Sequence, residues 1–353
     1  MPVRIYSENG CVAKHGAELA ALGTRALIIT GKQSSRRNGS LQDVTEILEK
    51  YRIPCTVFDQ TEENPSVETV MSARELGLAS GADFVIGIGG GSAMDAAKAA
   101  AVMLCNPDKN RLFLYEQTSS PALPVAAVPT TCGTGSEVTG VAVLTRHELR
   151  TKCSMTHRVF PRLALIDGRY LLTAPRTVLC NTFVDALAHL VESIINTKSN
   201  RFSELSAYAG LEWWGKCRSF LMEPEVLSPK KAQLLMDTAA FAGMSIAQTG
   251  TAIPHALSYI LTARGGIPHG AAVGVFLSNY MEMADSSVRE RILRACRIPD
   301  TDALRGLLET HAPVRTEQSI LEQSADAVMQ SPAKLAVCPF RIDRTVMNRL
   351  IRI

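Results

Sequence analysis

The sequence predicts an α/β domain with a parallel sheet, followed by an all-helical domain. Three observations carry this. Short apolar runs alternate with helical patterns up to Asp167, the rhythm of a βαβ layer. Strand signals then stop, and the remainder reads as a succession of helices. The chain has 353 residues, enough for two domains of roughly 100–200 residues each. The expected division is residues 1–170 for the N-terminal α/β domain and 171–353 for the C-terminal helical one.

The first strand is Arg25-Ala26-Leu27-Ile28-Ile29-Thr30-Gly31, a buried apolar run. A polar loop, Lys32 to Gly39, follows. Ser40 is expected to cap the next helix, with Asp43 three residues on and Leu41, Val44, Ile47 and Leu48 on one face. Cys55 to Asp59 reads as a second strand. The turn Glu63-Asn64-Pro65-Ser66 leads into a helix with Val67, Val70, Met71 and Leu76 inward. Asp83 to Ile88 is a third strand, Pro124 to Pro129 a fourth, and Leu163 to Asp167 the last. Val138–Thr145 and Thr151–Met155 are expected to pair as a hairpin carrying Lys152. Beyond 170, helices are expected over the Asp185 segment, over 201–222 and over 229–249, the last opened by Ser228-Pro229. Trp213 and Trp214 read as core or subunit contact. Residues 296–353 look helical and polar, with breaks at Pro313, Pro332 and Pro339.

Composition bounds the partners. Lys and Arg total 37 against 34 Asp and Glu, a net charge of +3, too small and scattered to suggest nucleic acid. No apolar run reaches the ~18 residues of a membrane helix. Nine cysteines are dispersed without a C-x-x-C pair, which reads as reduced thiols in a cytoplasmic protein.

Two patterns carry chemistry. In Phe183-Val184-Asp185-Ala186-Leu187-Ala188-His189, the Asp and His are four apart on a helix, so both leave one face. With His255 and His269 downstream, each beside Pro, they would make a mixed oxygen and nitrogen set for one divalent ion. The plain alternative is an exposed helical pair worth about a few tenths of a kcal/mol. The other pattern is Gly89-Gly90-Gly91-Ser92 between a strand and an Ala-rich helix. Such a turn at a helix N-terminus is a ready anion site; the alternative is a tight structural turn. Thr130 to Thr139 alternates small hydroxyl residues with Gly, suited to phosphate or ribose oxygens.

Together these motifs resemble the iron-containing (group III) alcohol dehydrogenases, closest in look to the 1,3-propanediol and butanol dehydrogenase-like members. The resemblance covers almost the whole chain. It rests on Gly89-Gly90-Gly91-Ser92 with Asp95 and Lys98, on Pro129 to Thr139, on Asp185 and His189 with Glu192, and on His255-Ala256-Leu257 with Pro268-His269-Gly270. It implies the fold shared with dehydroquinate synthase: a Rossmann-like dinucleotide-binding domain over 1–170, an all-helical metal-binding catalytic domain over 171–353, the site in a cleft, and the metal ligands Asp185, His189, His255 and His269. It also implies that Gly90, Gly91, Ser92 and Asp95 hold the pyrophosphate, with Asn64, Thr130, Thr131, Thr134 and Lys152 around the cofactor. The metal implied is Fe2+, with Zn2+ as the alternative for one Asp and three His. Where many relatives carry a proton-relaying His, this chain has Tyr259. Val141, Ile246, Thr251 and Phe183 are candidate substrate contacts, all uncharged. The activity implied is hydride transfer between a nicotinamide cofactor and a small primary alcohol or aldehyde, by a homodimer or larger homo-oligomer. A dehydroquinate synthase-type lyase, a glycerol dehydrogenase or maleylacetate reductase-like enzyme, and a non-catalytic nucleotide-binding oligomer are the alternatives.

The loop after the first strand contacts the adenosine ribose in such folds. NAD-specific sites place an acid there, which repels a 2′-phosphate. Here the strand ends in Gly31, no acid follows until Asp43, and the loop offers Lys32, Ser34, Ser35, Arg36 and Arg37. The expected cofactor is therefore NADP(H) in preference to NAD(H).

Overall fold

The structure, a computed structural model, describes residues 2–118, 120–149, 151–222 and 226–353. Two compact units emerge. The first comprises Met1–Thr131, Ser136–Ala174 and Leu227–Met236; the second comprises Cys132–Gly135, Pro175–Val226 and Asp237–Ile353. Each is thus assembled from three stretches of chain.

The strands are β1 (Arg4–Ser7), β2 (Ala26–Gly31), β3 (Cys55–Thr61), β4 (Phe84–Gly89), β5 (Val125–Pro129), β6 (Val143–Arg146), β7 (Thr151–Ser154) and β8 (Leu163–Ile166). Six of them form one sheet in the order β1-β8-β5-β4-β2-β3, and every pairing is parallel. Strands β6 and β7 pair antiparallel as a hairpin, whose first arm starts at Val143 and not at the expected Val138, where the chain forms a 3-10 turn. Both faces of the inner strands β8, β5, β4 and β2 are buried. Along β2, Ala26 and Ile28 enter one core cluster while Leu27 and Ile29 enter the other. That two-residue alternation, apolar on both sides, is why Ala26 to Ile29 run without a polar position.

Two local expectations are corrected. Strand β1, four residues with Arg and Ser at its ends, has no apolar run to announce it. Ser40 is not the cap of its helix: the Asn38 side chain accepts from the Ser40 backbone N–H at 2.9 Å and from its hydroxyl at 2.7 Å. Ser66 does cap Val67–Ser80, accepting from the Thr69 N–H at 3.1 Å.

The second unit is helical among its described residues. Its longest helix wholly inside the unit is Arg176–Ile194, followed by Arg201–Cys217 and Ser219–Met222, which interrupt the single helix expected over 201–222 at Arg218. Pro229–Thr249 forms as expected. Ile253–Gly265 and His269–Gly274 then deliver the two downstream histidines. All nine cysteines are free. Among the described residues no helix is long and apolar enough to cross a membrane.

Candidate functional site

Every residue of the Arg176–Ile194 helix from Phe183 to Ile194 is buried. A helix buried all round belongs to a core, not to a surface. Asp185, His189 and Glu192 on it are 2%, 5% and 0% exposed, which removes the reading of Asp185 and His189 as an exposed pair. Charged groups this deep need partners.

The histidines supply them. His255 Nε2 lies 3.3 Å and His269 Nε2 3.7 Å from Asp185 Oδ1. The donor atoms of Asp185, His255 and His269 all fall within 4.8 Å of one another. His189 stands beside this group, its Nδ1 4.0 Å from Asp185 Oδ2 and its ring stacked on His255 with centroids 4.3 Å apart. Two glycines permit the convergence. A Cβ on Gly270, next to His269, would collide with the Asn181 carbonyl. A Cβ on Gly133 would sit 2.6 Å from the Thr182 carbonyl, and the Gly133 carbonyl in turn lies 3.3 Å from His189 Nδ1.

Glu192 completes the arrangement, and its role was not read from the sequence. Its carboxylate accepts from the Ala252 N–H at 3.1 Å and the His255 N–H at 2.9 Å, and lies 2.6 Å from His255 Nδ1. A carboxylate there accepts the hydrogen bond from Nδ1–H and so fixes the ring with Nε2 facing Asp185. The signal was present: Asp185, His189 and Glu192 are spaced four and seven, one helical face.

The site's electrostatics call for positive charge. Burial pushes the Asp185 carboxyl up, but the surrounding imidazoles of His189, His269 and His255 outweigh it and hold it well below the usual range. Burial lowers the His255 pKa, yet Glu192 and Asp185 bring it up to about 9. His189 is pushed down, chiefly by burial. Asp185 Oδ1 and His255 Nε2 are both buried without a hydrogen-bond partner of acceptable geometry, although they face each other. A divalent cation between them would satisfy both.

Other expected residues fall as follows. Phe183 is fully buried and stacked on Trp214, centroids 5.0 Å apart, with Trp214 Nε1 donating to its carbonyl at 3.0 Å. Two residues from Asp185, it leaves the opposite face of the helix; it is core and not an open substrate contact. Tyr259 is one turn beyond His255 on the same helix, half-buried, with the Lys334 ammonium 5.7 Å from its ring centroid. Ile246 and Thr251 are half-buried. Thr134 belongs to the second unit.

In the first unit, β4 runs into Gly90, which precedes helix Gly91–Cys105 and gives it no side-chain cap. Gly90 thus leaves the first N–H groups of that helix without a side-chain cap, the setting in which an anion can bind. Asn64, Ser92 and Lys152 are brought together here. Ser92 Oγ accepts from the Asn64 N–H at 3.0 Å, and Lys152 Nζ donates to Asn64 Oδ1 at 2.7 Å. Thr131 adjoins Gly90, and the Thr130 N–H bonds the Gly89 carbonyl at 2.9 Å. Ser34 lies near Gly31. Asp95 turns inward: it accepts from Ser136 Oγ at 2.6 Å and the Val143 N–H at 2.8 Å, and lies 3.6 Å from the buried Lys98 ammonium. Val141, half-buried, gives its carbonyl to Lys98 at 2.8 Å.

Two family profiles match in succession: "Iron-containing alcohol dehydrogenase" over residues 2–168 and "Fe-containing alcohol dehydrogenase family, C-terminal" over residues 179–330. The chain belongs to the iron-containing alcohol dehydrogenase family. An iron-containing alcohol dehydrogenase from Thermotoga maritima has a solved structure similar to this one, with a TM-score of 0.91 and 34% identity, covering 100% of this chain and 97% of that one. The long-chain primary alcohol dehydrogenase AdhA of Thermoanaerobacter ethanolicus is 31% identical over 286 residues, 80% of this chain and 71% of its own. The probable alcohol dehydrogenase EutG of Escherichia coli is 29% identical over 314 residues, 86% of this chain and 79% of its own. An iron-containing alcohol dehydrogenase needs a metal and a nicotinamide cofactor. The unsatisfied atoms of Asp185 and His255 fit the first, and the uncapped glycine turn after β4 fits the second. This membership also sets aside the lyase and the non-catalytic oligomer.

Proposed function

We propose that this alcohol dehydrogenase reduces small, uncharged aldehydes to primary alcohols with NADP(H), using one metal held by Asp185, His189, His255 and His269. Residues 1–170 would serve the cofactor and 171–353 the metal. The observation that carries the reading is the pair of buried, unsatisfied atoms Asp185 Oδ1 and His255 Nε2, with Glu192 orienting the imidazole. When bound, a divalent metal supplies Lewis acidity toward the substrate oxygen and the nicotinamide supplies hydride. The chain's own part is to hold and to exclude. Glu192 fixes the His255 tautomer. The Gly133 carbonyl does the same for His189. Tyr259, half-buried on the same helix, would pass a proton outward. Fe2+ is the metal we favour. We place the enzyme in the cytoplasm as a homodimer or larger homo-oligomer.

Gly90, Gly91, Ser92 and the helix they open would receive the pyrophosphate, with Asn64, Thr130, Thr131 and Lys152 around it. The preference for NADPH rests on Gly31. A Cβ there would lie 3.5 Å from the Thr61 carbonyl and 3.9 Å from Ser34 Oγ, ordinary contacts, so Gly31→Asp should fold. Steady-state kcat/KM with butanal should favour NADPH over NADH by roughly tenfold or more, about 1.4 kcal/mol. Gly31→Asp should shrink that ratio, mainly by weakening NADPH. Equal use of both cofactors, unchanged by Gly31→Asp, would defeat the cofactor assignment. Replacing butanal by succinic semialdehyde tests the substrate: a clear preference for the acid would defeat that half.

A further inference from the structure

The sequence between Gly31 and Asp43 has no acid, but the fold brings one from elsewhere. Strand β3 lies beside β2 in parallel, with Ile29 opposite Phe58 and Gly31 opposite Thr61. Between those pairs β2 has one residue, Thr30, and β3 has two, Asp59 and Gln60. Such a bulge re-aims side chains. Asp59 Oδ2 accepts from Arg36 Nη2 at 3.0 Å, and its Oδ1 accepts from Gln60 Nε2 at 2.7 Å. These bonds, with Gln60 foremost, hold the Asp59 carboxyl below its ordinary value. Arg36 belongs to the short helix Ser34–Arg37 directly after Gly31. Its side chain is 57% exposed and that of Asp59 32%, so a ligand can reach both. Asp43, the next acid in sequence, is engaged elsewhere: it accepts from Tyr170 Oη at 2.8 Å and Arg169 Nη2 at 3.1 Å.

We propose that Asp59 and Arg36 form the specificity-determining pair that reads the 2′ position of the adenosine ribose. The inference rests on the reading above, that the loop after β2 receives that ribose. Arg36 offers two-pronged hydrogen bonding to a 2′-phosphate. Asp59 opposes it in two ways: it neutralises the guanidinium, and its carboxylate can accept from a 2′-hydroxyl as the missing acid after β2 would. The ratio of the two cofactors is therefore set by a strand neighbour that the loop sequence does not contain. Asp59→Asn unmasks the cation and removes the hydroxyl acceptor. Arg36→Gln removes the phosphate partner and leaves the acid.

The test is binding, read without turnover. NADPH and NADH are titrated by nucleotide fluorescence into the wild type, Asp59→Asn, Arg36→Gln and Gly31→Asp. Asp59→Asn should raise the NADPH-over-NADH affinity ratio by roughly threefold or more, the scale of one solvent-exposed charge contact. Arg36→Gln should lower it by a similar factor, through NADPH alone. If Gly31→Asp changes the ratio while Asp59→Asn and Arg36→Gln leave it within error of wild type, the pair is not the reader and this inference falls, with the ribose site intact. If none of the three changes the ratio, the ribose is not bound at this loop and both readings fall.

Discussion

Glu192 shows how a residue acquires a function from its neighbours. It sits on the same helical face as Asp185 and His189, yet its work is done on Ala252 and His255, some sixty residues downstream. The spacing of Asp185 and His189 was legible because both lie on one short helix. The partner of Glu192 was not, because no local rule says which later segment will dock on that face. Orienting carboxylates of this kind typically change metal affinity by about 10–100-fold when altered. Glu192→Gln keeps the shape but loses the strong acceptor, so metal affinity should drop within that range while the fold persists. Competition against a chelator of known affinity, beside circular dichroism, measures it. Wild-type affinity in Glu192→Gln would show that the carboxylate does not orient His255.

At the scale of elements, the strands were readable wherever burial on both faces forced a continuous apolar run, as in β2 and β4. Edge strand β1 was not, since a four-residue strand with polar ends has no such pattern. The segment 136–143 shows a further kind of hidden order. Lys98, fully buried on helix Gly91–Cys105, donates to Ser136 Oγ at 2.6 Å and to the Val141 carbonyl at 2.8 Å, while Asp95 on the same helix accepts from Ser136 and Val143. Helix and segment are stapled by one cation and one acid. Glu137 adds a second buried carboxyl, 2% exposed, and burial pushes its pKa up to about 7 despite the attraction of Lys98. The sign follows from linkage. Below its ordinary value of 4.5 the group is protonated folded or unfolded and costs nothing. As pH rises from there to about 7 the unfolded chain ionises first, and the folded state loses up to roughly 3 kcal/mol. Glu137→Gln should therefore gain stability over wild type progressively between pH 4.5 and 7 and hold that gain above. Denaturant unfolding across pH reads this directly; a gap that stays constant with pH would mean Glu137 does not titrate there.

For the molecule as a whole, the order of the motifs is enough to place the chain in its family, because four short patterns follow one another along nearly its full length. The α/β character of the first unit and the helical character of the second followed from periodicity. What periodicity could not supply was assembly from separated stretches: Cys132–Gly135 joins the helical unit and Leu227–Met236 joins the sheet unit. Nor could it show that Asp59, from the adjacent strand, pairs with Arg36 of the loop after β2. These are consequences of which segments pack together, and they decide the second-line partners of the site more than its ligands.

If Asp185, His189, His255 and His269 hold the metal, as proposed, turnover depends on these four side chains. The most direct measurement is metal content by elemental analysis, taken on anaerobically iron-loaded wild type and His269→Ala alongside NADPH-dependent reduction of butanal. His269 is the test of choice because it begins its own short helix and is the most exposed of the four, its side chain 28% accessible, so its loss leaves the core intact. Stoichiometric metal and turnover are expected in wild type, and loss of both in His269→Ala with an unchanged circular dichroism spectrum. Full metal content and a normal rate in His269→Ala would contradict it.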